Sequence, residues 1–313
     1  MISILTLVAG LILLVVAGDY LVRGAVGLAE RLAIDPLIIG LTVVAFGTSA
    51  PELFVSLQAA FNGESGIAIG NVVGSNIANV LLVMGAPALL MTIHSNEKGI
   101  GVSLIVMVLV SAVLMAFMAS GQITRLNGAV LLAIMFGYIG WQIHSARRGR
   151  LAMPPACDRP EPAHELLSTT WIAVFMAGGL VGLPIGAWLT VDAASAIARL
   201  LGASETAIGL TVVAVGTSLP ELVTSLMAAY RRSGAVAIGN VVGSNIFNIG
   251  LILGLTGVIL PLDVDARVIH IDMWVMLATA LLVVALAHWS VPIRKLGGIA
   301  MLAAFGVYIA SVF

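Results

Sequence analysis

Charged residues are scarce in this chain of 313 residues. Asp, Glu, Lys and Arg together make up 9% of the sequence, whereas hydrophobic residues make up 60%. A soluble domain carries about 25% charged residues, so the composition excludes an ordinary soluble protein and indicates a polytopic protein of the lipid bilayer. Cysteine is nearly absent, and the single Cys157 excludes an intrachain disulfide. No strongly basic region is present, which argues against a nucleic-acid partner.

Long apolar stretches, each of about 20 residues, predict ten transmembrane helices and hence an all-α fold. They cover approximately 2–22, 36–61, 66–91, 100–120, 124–144, 169–192, 205–230, 235–260, 268–289 and 294–313. Two five-helix units are expected, at 1–144 and 169–313, joined by a polar, proline-rich linker at 145–168. The linker contains Cys157 and His164, but their spacing matches no metal-ligand pattern.

One segment of the chain occurs twice. Residues 40–79 and 209–248 align without a gap at an offset of 169, and 27 of the 40 positions are identical. Each half holds five predicted spans. Because five is odd, the second copy enters the bilayer from the opposite side, and the repeats are predicted to be inverted. Inverted repeats of this kind hold their substrate site near the bilayer midplane, at the interface between them.

The distribution of basic residues agrees with this topology, because cytoplasmic loops carry an excess of Lys and Arg. With ten alternating spans, 11 of the 14 Lys and Arg residues fall on one face and 3 on the other. We therefore expect a multi-pass inner-membrane protein whose termini are both extracytoplasmic and whose 145–168 linker is cytoplasmic. The sequence does not set the oligomeric state, and a monomer is compatible with it.

Each copy of the repeat places one acid inside an apolar run, Glu52 in the first and Glu221 in the second. A carboxylate in hydrocarbon costs a few kcal/mol, so such a residue is a functional-site hypothesis by default. A proline directly before each acid interrupts the helix, because it lacks an N–H and clashes with the carbonyl four residues earlier. Hydroxyl residues three and four positions before each acid share its helix face, namely Thr48, Ser49, Thr217 and Ser218.

A second polar motif, GNVVGSNIxN, follows the acid in both copies. Its hydroxyl and amide side chains at i, i+4 spacing are Ser75, Asn79, Ser244 and Asn248. For Asn76 and Asn245 the sequence leaves two roles open, ion binding and helix packing. Neither copy contains His or Cys, so the candidate ligands are all oxygen atoms. Such a set favours hard cations such as Ca²⁺ or Na⁺ over zinc or copper.

The paired GTSxPE and GNVVGSNIxN motifs resemble the α-repeats of the cation/Ca²⁺ exchanger superfamily, most closely those of the prokaryotic Na⁺/Ca²⁺ exchangers. The resemblance covers the whole chain, since the ten-span layout and the short linker also fit. It implies four cation sites at mid-membrane, with Glu52 and Glu221 bridging the central ions and the first and sixth spans sliding as a gate. It also implies further oxygen ligands, namely the side chains of Thr48, Ser49, Ser75, Asn79, Thr217, Ser218, Ser244 and Asn248 and the carbonyls of Ala45 and Ala214.

One position departs from part of that superfamily, because some members carry Asp where this chain has Asn248. The two glutamates still balance the charge of one Ca²⁺. We expect a secondary antiporter, not an enzyme, that exchanges Na⁺ for Ca²⁺ and needs no cofactor beyond the transported ions. Proton-coupled Ca²⁺ exchange on the same scaffold is the principal alternative, since a buried glutamate can carry a proton. A cation channel and an intramembrane hydrolase are more distant alternatives.

Overall fold

A computed structural model of the protein describes residues 2–151, 167–202 and 214–312. Cys157 and His164 of the predicted linker lie outside these residues, as does the first part of the span predicted at 205–230. The remainder of that span is present as a helix over Leu219–Tyr230.

The described residues are mostly helical, and we number the α-helices in chain order. They are α1 (Ile2–Leu32), α2 (Pro36–Ile39), α3 (Ala45–Thr48), α4 (Ala50–Phe61), α5 (Ser65–Ala78), α6 (Gly101–Met118), α7 (Arg125–Leu151), α8 (Thr169–Leu200), α9 (Ala214–Thr217), α10 (Leu219–Tyr230), α11 (Gly234–Phe247), α12 (Gly254–Ile259), α13 (Met273–His288) and α14 (Lys295–Val312). Wider π-helical turns occupy Gly40–Val44, Asn79–Val83, Asn248–Leu253 and Val268–Asp272, and a 3₁₀ turn occupies Pro87–Leu89. Two short strands, β1 (Gln122–Ile123) and β2 (Leu262–Asp263), pair in antiparallel orientation.

The helices confirm an all-α, polytopic membrane fold. Within the described residues, eight continuous helical segments are long and apolar enough to cross a membrane. A ninth span is formed by Pro36–Thr48 and Ala50–Phe61, which meet at an angle of 42°. Helix α7 runs to Leu151, well into the segment predicted as linker, because nothing in its sequence breaks the helix where the apolar stretch ends.

Contacts between loops support the inverted arrangement of the two repeats. The turn before α5 lies at the face where β1 and β2 pair, because Gly66 contacts Asp265 just beyond β2. The corresponding turn before α11 lies at the other face, where Gly234 is near Glu97 and where Ile93 bridges Ile293. Equivalent turns of the repeats therefore lie on opposite sides of the membrane.

Helices α1 and α8 form a tight pair because glycines bring their backbones together. A Cβ atom added at Gly10 would lie 2.9 Å from the Thr190 backbone nitrogen, and one at Gly186 would lie 3.0 Å from that of Leu14. The two helices share a hydrophobic cluster with residues of α2, α10 and α11, and a second, larger cluster lies among α5, α6, α7, α11 and α13.

Both copies of the GNVVGSNIxN motif lie in the most buried of the continuous spans that the structure describes. In the most apolar windows of the spans Ser65–Leu89 and Gly234–Ile259, 72% and 78% of the residues are buried, against at most 39% in the other six continuous spans that the structure describes. The fold therefore places both copies of the GNVVGSNIxN motif at its centre, away from lipid.

Candidate ion-binding site

The predicted helix breaks are present at equivalent positions in both repeats. Ser49 interrupts the helix between α3 and α4 with φ −82° and ψ 6°, and Ser218 does the same between α9 and α10 with φ −86° and ψ 4°. A proline occupies the first turn after each break, where its missing N–H costs nothing. Each break therefore places a hydroxyl residue and a glutamate side by side within one helical turn.

The two breaks meet inside the protein. Glu52 and Glu221 are buried, with 1% and 0% of their surface exposed. The Ser49 hydroxyl of the first repeat donates a hydrogen bond of 3.2 Å to Glu221 Oε1 of the second. Ser49 belongs to the same break as Glu52, so Glu221 lies against the break of the first repeat. The acids of the two repeats therefore face one shared site and do not face lipid.

Buried oxygen atoms without partners are concentrated in this site. Among the described residues, ten buried side-chain polar atoms have no hydrogen-bond partner, and six of them belong to residues that the sequence predicted as ligands. The six are Glu52 Oε1 and Oε2, Glu221 Oε2, Asn79 Oδ1, Asn248 Oδ1 and Ser218 Oγ. A buried polar atom without a partner costs about 1–3 kcal/mol, and a charged one costs more. Their free lone pairs suit a hard cation, and Ca²⁺ takes 6–8 oxygen ligands.

Thr48 connects the first break to α11 of the other repeat. Its hydroxyl lies 3.1 Å from Asn240 Oδ1 and 3.5 Å from Ser244 Oγ. The hydroxyl is also 3.3 Å from the Ala45 carbonyl oxygen, which accepts the Ser49 backbone N–H at 3.1 Å as well. The Ala45 carbonyl, predicted as a ligand, is thus already engaged in hydrogen bonds.

The remaining predicted ligands follow the same pattern in both repeats. Ser75 and Ser244 are buried on α5 and α11, and Thr217 is buried at the end of α9. Ala214 begins α9 three residues before Thr217, just as Ala45 begins α3 three residues before Thr48. Asn79 and Asn248 each begin a π-helical turn, a local widening that is frequent at functional sites.

Two further asparagines, which the sequence prediction did not include, hold the acid-bearing helices in place. Asn71 donates to the backbone carbonyl of Glu52 at 3.2 Å and to Ser56 Oγ at 3.0 Å. Its counterpart Asn240 donates to the backbone carbonyl of Glu221 at 3.3 Å and to a serine hydroxyl, Ser225 Oγ, at 3.2 Å. The sequence indicated these residues only by carrying the same asparagine at this position in both copies of the repeat.

Thr224 was also missed. It lies one turn after Glu221, and its buried hydroxyl has no partner among the described residues. The equivalent position of the first repeat is Val55, so no repeated pattern pointed to it.

Two inverted repeats that meet at two buried acids define a polytopic ion transporter. A sequence profile of the sodium/calcium exchanger protein family matches residues 2–144 and 171–313. The chain belongs to this family, whose members are transport proteins of the antiporter class.

Relatives that extend over the whole chain support this assignment. The sodium/calcium exchanger MaX1 of Methanosarcina acetivorans is 33% identical, over 100% of this chain and 99% of the relative. The inner membrane protein YrbG of Escherichia coli is 34% identical, over 98% of this chain and 95% of the relative. A solved structure of the sodium-calcium exchanger NCX_Mj, soaked with Na⁺ and Ca²⁺, superposes with a TM-score of 0.86 at 34% identity, covering 100% of this chain and 99% of that chain.

Proposed function

We propose that the protein exchanges Na⁺ for Ca²⁺ across the membrane as a secondary antiporter, without a cofactor and without enzymatic activity. One observation carries the proposal: two fully buried carboxylates from inverted repeats share a site, and three of their four oxygens have no hydrogen-bond partner. Two carboxylates compensate the charge of one Ca²⁺ or of two Na⁺ ions. The similarity to MaX1, an exchanger of sodium and calcium by name, supports the choice of ions.

The ligands of the transported ions are part of this proposal. The acids Glu52 and Glu221 bind the central ion. The amides and hydroxyls around them complete the ligand set, namely Thr48, Ser49, Ser75, Asn79, Thr217, Ser218, Ser244 and Asn248. The carbonyl of Ala45 serves Na⁺ once its hydrogen bonds to Thr48 and Ser49 rearrange, and the carbonyl of Ala214 is its equivalent in the second repeat.

Alternating access is proposed to occur by movement of α1 and α8 as one body. Their close backbone contact supports this, because a tightly packed pair can move as a unit without losing the packing between its own two helices. The face that carries most of the Lys and Arg is proposed to be cytoplasmic, which places both termini outside and the 145–168 linker inside.

Flux measurements in proteoliposomes test the function. We expect uptake of radiolabelled Ca²⁺ when an opposing Na⁺ gradient is imposed, and no uptake when a K⁺ or pH gradient is imposed instead. Uptake driven by pH alone would establish proton coupling, and flux without any counter-ion would establish a channel. Either result would overturn the proposal of Na⁺ coupling.

Two variants and a control test the site. We expect Glu52→Gln and Glu221→Gln each to reduce Ca²⁺ uptake by about 100-fold or more, because an amide cannot balance the charge of the ion. Glu64→Gln is the matched control, since Glu64 is exposed in the turn before α5, and it should transport normally. Normal transport by both buried-site variants would show that the acids do not bind the ion.

A further inference from the structure

Four buried asparagines form two hydrogen-bonded pairs that cross between the repeats. Asn79 of the first repeat donates from Nδ2 to Asn245 Oδ1 of the second at 3.1 Å. Asn248 of the second repeat donates from Nδ2 to Asn76 Oδ1 of the first at 3.0 Å. In each pair, the predicted ligand, Asn79 or Asn248, donates from its NH₂ group to the amide oxygen of the other asparagine.

Asn245 and Asn76, the acceptors of the two pairs, are each oriented by a methionine. Asn245 Nδ2 lies 3.7 Å from Met107 Sδ, and Asn76 Nδ2 lies 3.8 Å from Met276 Sδ and 3.3 Å from the Asn245 carbonyl oxygen. A thioether and a backbone carbonyl only accept hydrogen bonds, so the amide must turn its NH₂ towards them. Its oxygen is thereby directed towards the site asparagine. Met107 and Met276 are themselves related by the 169-residue offset and are fully buried.

These hydrogen bonds leave the amide oxygens of Asn79 and Asn248 without a partner. The NH₂ groups of Asn79 and Asn248 are engaged, whereas their Oδ1 atoms are buried without a partner. A cation is bound by the oxygen of an amide and repelled by its NH₂ group. If Asn248 were rotated by half a turn, two carbonyl-type oxygens would face each other where a 3.0 Å hydrogen bond now stands.

We propose that Asn76 and Asn245, held by Met276 and Met107, are positioning residues that turn the amide oxygens of Asn248 and Asn79 towards the transported cation. The proposal rests on the function proposed above. Helix packing alone does not require this arrangement, because packing is indifferent to which end of an amide carries the oxygen. The orientation matters only to a ligand that distinguishes oxygen from NH₂.

A double-mutant cycle tests the proposal, because a carboxylate has two equivalent oxygens and needs no orientation. We expect Asn76→Ala to weaken apparent Ca²⁺ affinity by about tenfold in the otherwise unchanged protein. In the Asn248→Asp background the same change should weaken it less than about twofold. In the Asn79→Asp background the full effect should remain, since Asn76 does not orient Asn79. The mirror-image variant Asn245→Ala should lose its effect with Asn79→Asp and keep it with Asn248→Asp.

Apparent affinity is read from the Ca²⁺ concentration dependence of the thermal unfolding midpoint, which does not require transport. Met276→Leu provides a second, nearly isosteric variant should Asn76→Ala fold poorly, with an expected loss of about threefold that also disappears in the Asn248→Asp background.

An equal loss in all three backgrounds would overturn the proposal, because a packing role costs the same whichever residue occupies position 248. No loss for Asn76→Ala or for Met276→Leu would also overturn it. Failure of the proposed function is recognised separately, since the unchanged protein would then show no Na⁺-driven Ca²⁺ uptake, whatever the cycle gives.

Discussion

Glu52 and Glu221 occupy equivalent positions in the two copies of the repeat, yet their surroundings differ. Glu221 accepts a hydrogen bond from Ser49, whereas neither carboxylate oxygen of Glu52 has a partner and the equivalent hydroxyl, Ser218 Oγ, is also unpaired. The backbone angles at the two breaks agree within a few degrees, so local conformation does not explain the difference. The two repeats are therefore not equivalent in the side-chain contacts that surround their acids.

Helices α1 and α8, which are equivalent in the two repeats, also differ in their contacts with the rest of the protein. Helix α1 packs along α10, and Asp19 pairs there with Arg231 as well as with Arg23 of its own helix. Helix α8 makes few or no contacts with α4, the equivalent of α10. The positions equivalent to Asp19 and Arg231 are Trp188 and Asn62, which cannot form an ion pair. Part of the asymmetry is thus encoded in the sequence.

The largest expected effect is a difference in the free energy of unfolding between variants of the two acids. In buffer at pH 7 without Na⁺ and Ca²⁺, Glu52→Gln should raise the free energy of unfolding by about 3 kcal/mol, because it removes a carboxyl group that folding must either bury as a charge without a partner or protonate. Glu221→Gln should raise it less, because Ser49 already stabilises that carboxylate. Thermal unfolding of the purified protein measures both values. A larger gain for Glu221→Gln would contradict the inequality of the two acids.

Two serine variants provide the next comparison. Ser49→Ala should lower the free energy of unfolding by about 2 kcal/mol in ion-free buffer, because it removes a hydrogen bond to a charged group. Ser218→Ala should instead raise the same quantity by about 1 kcal/mol, because it removes a buried hydroxyl that has no partner. Chemical or thermal unfolding of the matched pair gives the difference directly. Equal losses would mean that the two breaks are equivalent in solution.

The ion pair between α1 and α10 should have the smallest effect. Asp19 and Arg231 are partly exposed, with 17% and 29% of their side-chain surface accessible, so solvent screening limits their coupling to about 1 kcal/mol. A double-mutant cycle with Asp19→Asn and Arg231→Gln measures this coupling from unfolding free energies.

The cycle with Arg23→Gln is the control for that measurement. Arg23 pairs with Asp19 at 3.0 Å within α1 and is 44% exposed, so its coupling should be weaker. A coupling for Arg23 equal to that for Arg231 would show that the contact between α1 and α10 adds nothing.

Most of the architecture was predictable because it depends on local properties of the chain. A run of about 20 apolar residues crosses a membrane whatever its neighbours are, and a proline before a buried acid breaks its helix in either repeat. The π-helical turns that begin at Asn79 and Asn248 had no such signal, because their hydrogen bonds respond to packing against other helices. The sequence shows that Asn71 and Asn240 are identical in the two repeats, but it does not show which groups they bond to.

The sequence by itself determined the class of fold, the inverted repeats, the two buried acids and the oxygen character of the site, because length, hydropathy and repetition express these directly. Only the tertiary structure decided that Ser49 bonds to Glu221 while Glu52 stays without a partner, and that Asn76 and Asn245 turn the site amides. These contacts join residues more than 160 positions apart. Their geometry is set by how separate helices pack, which no local pattern records.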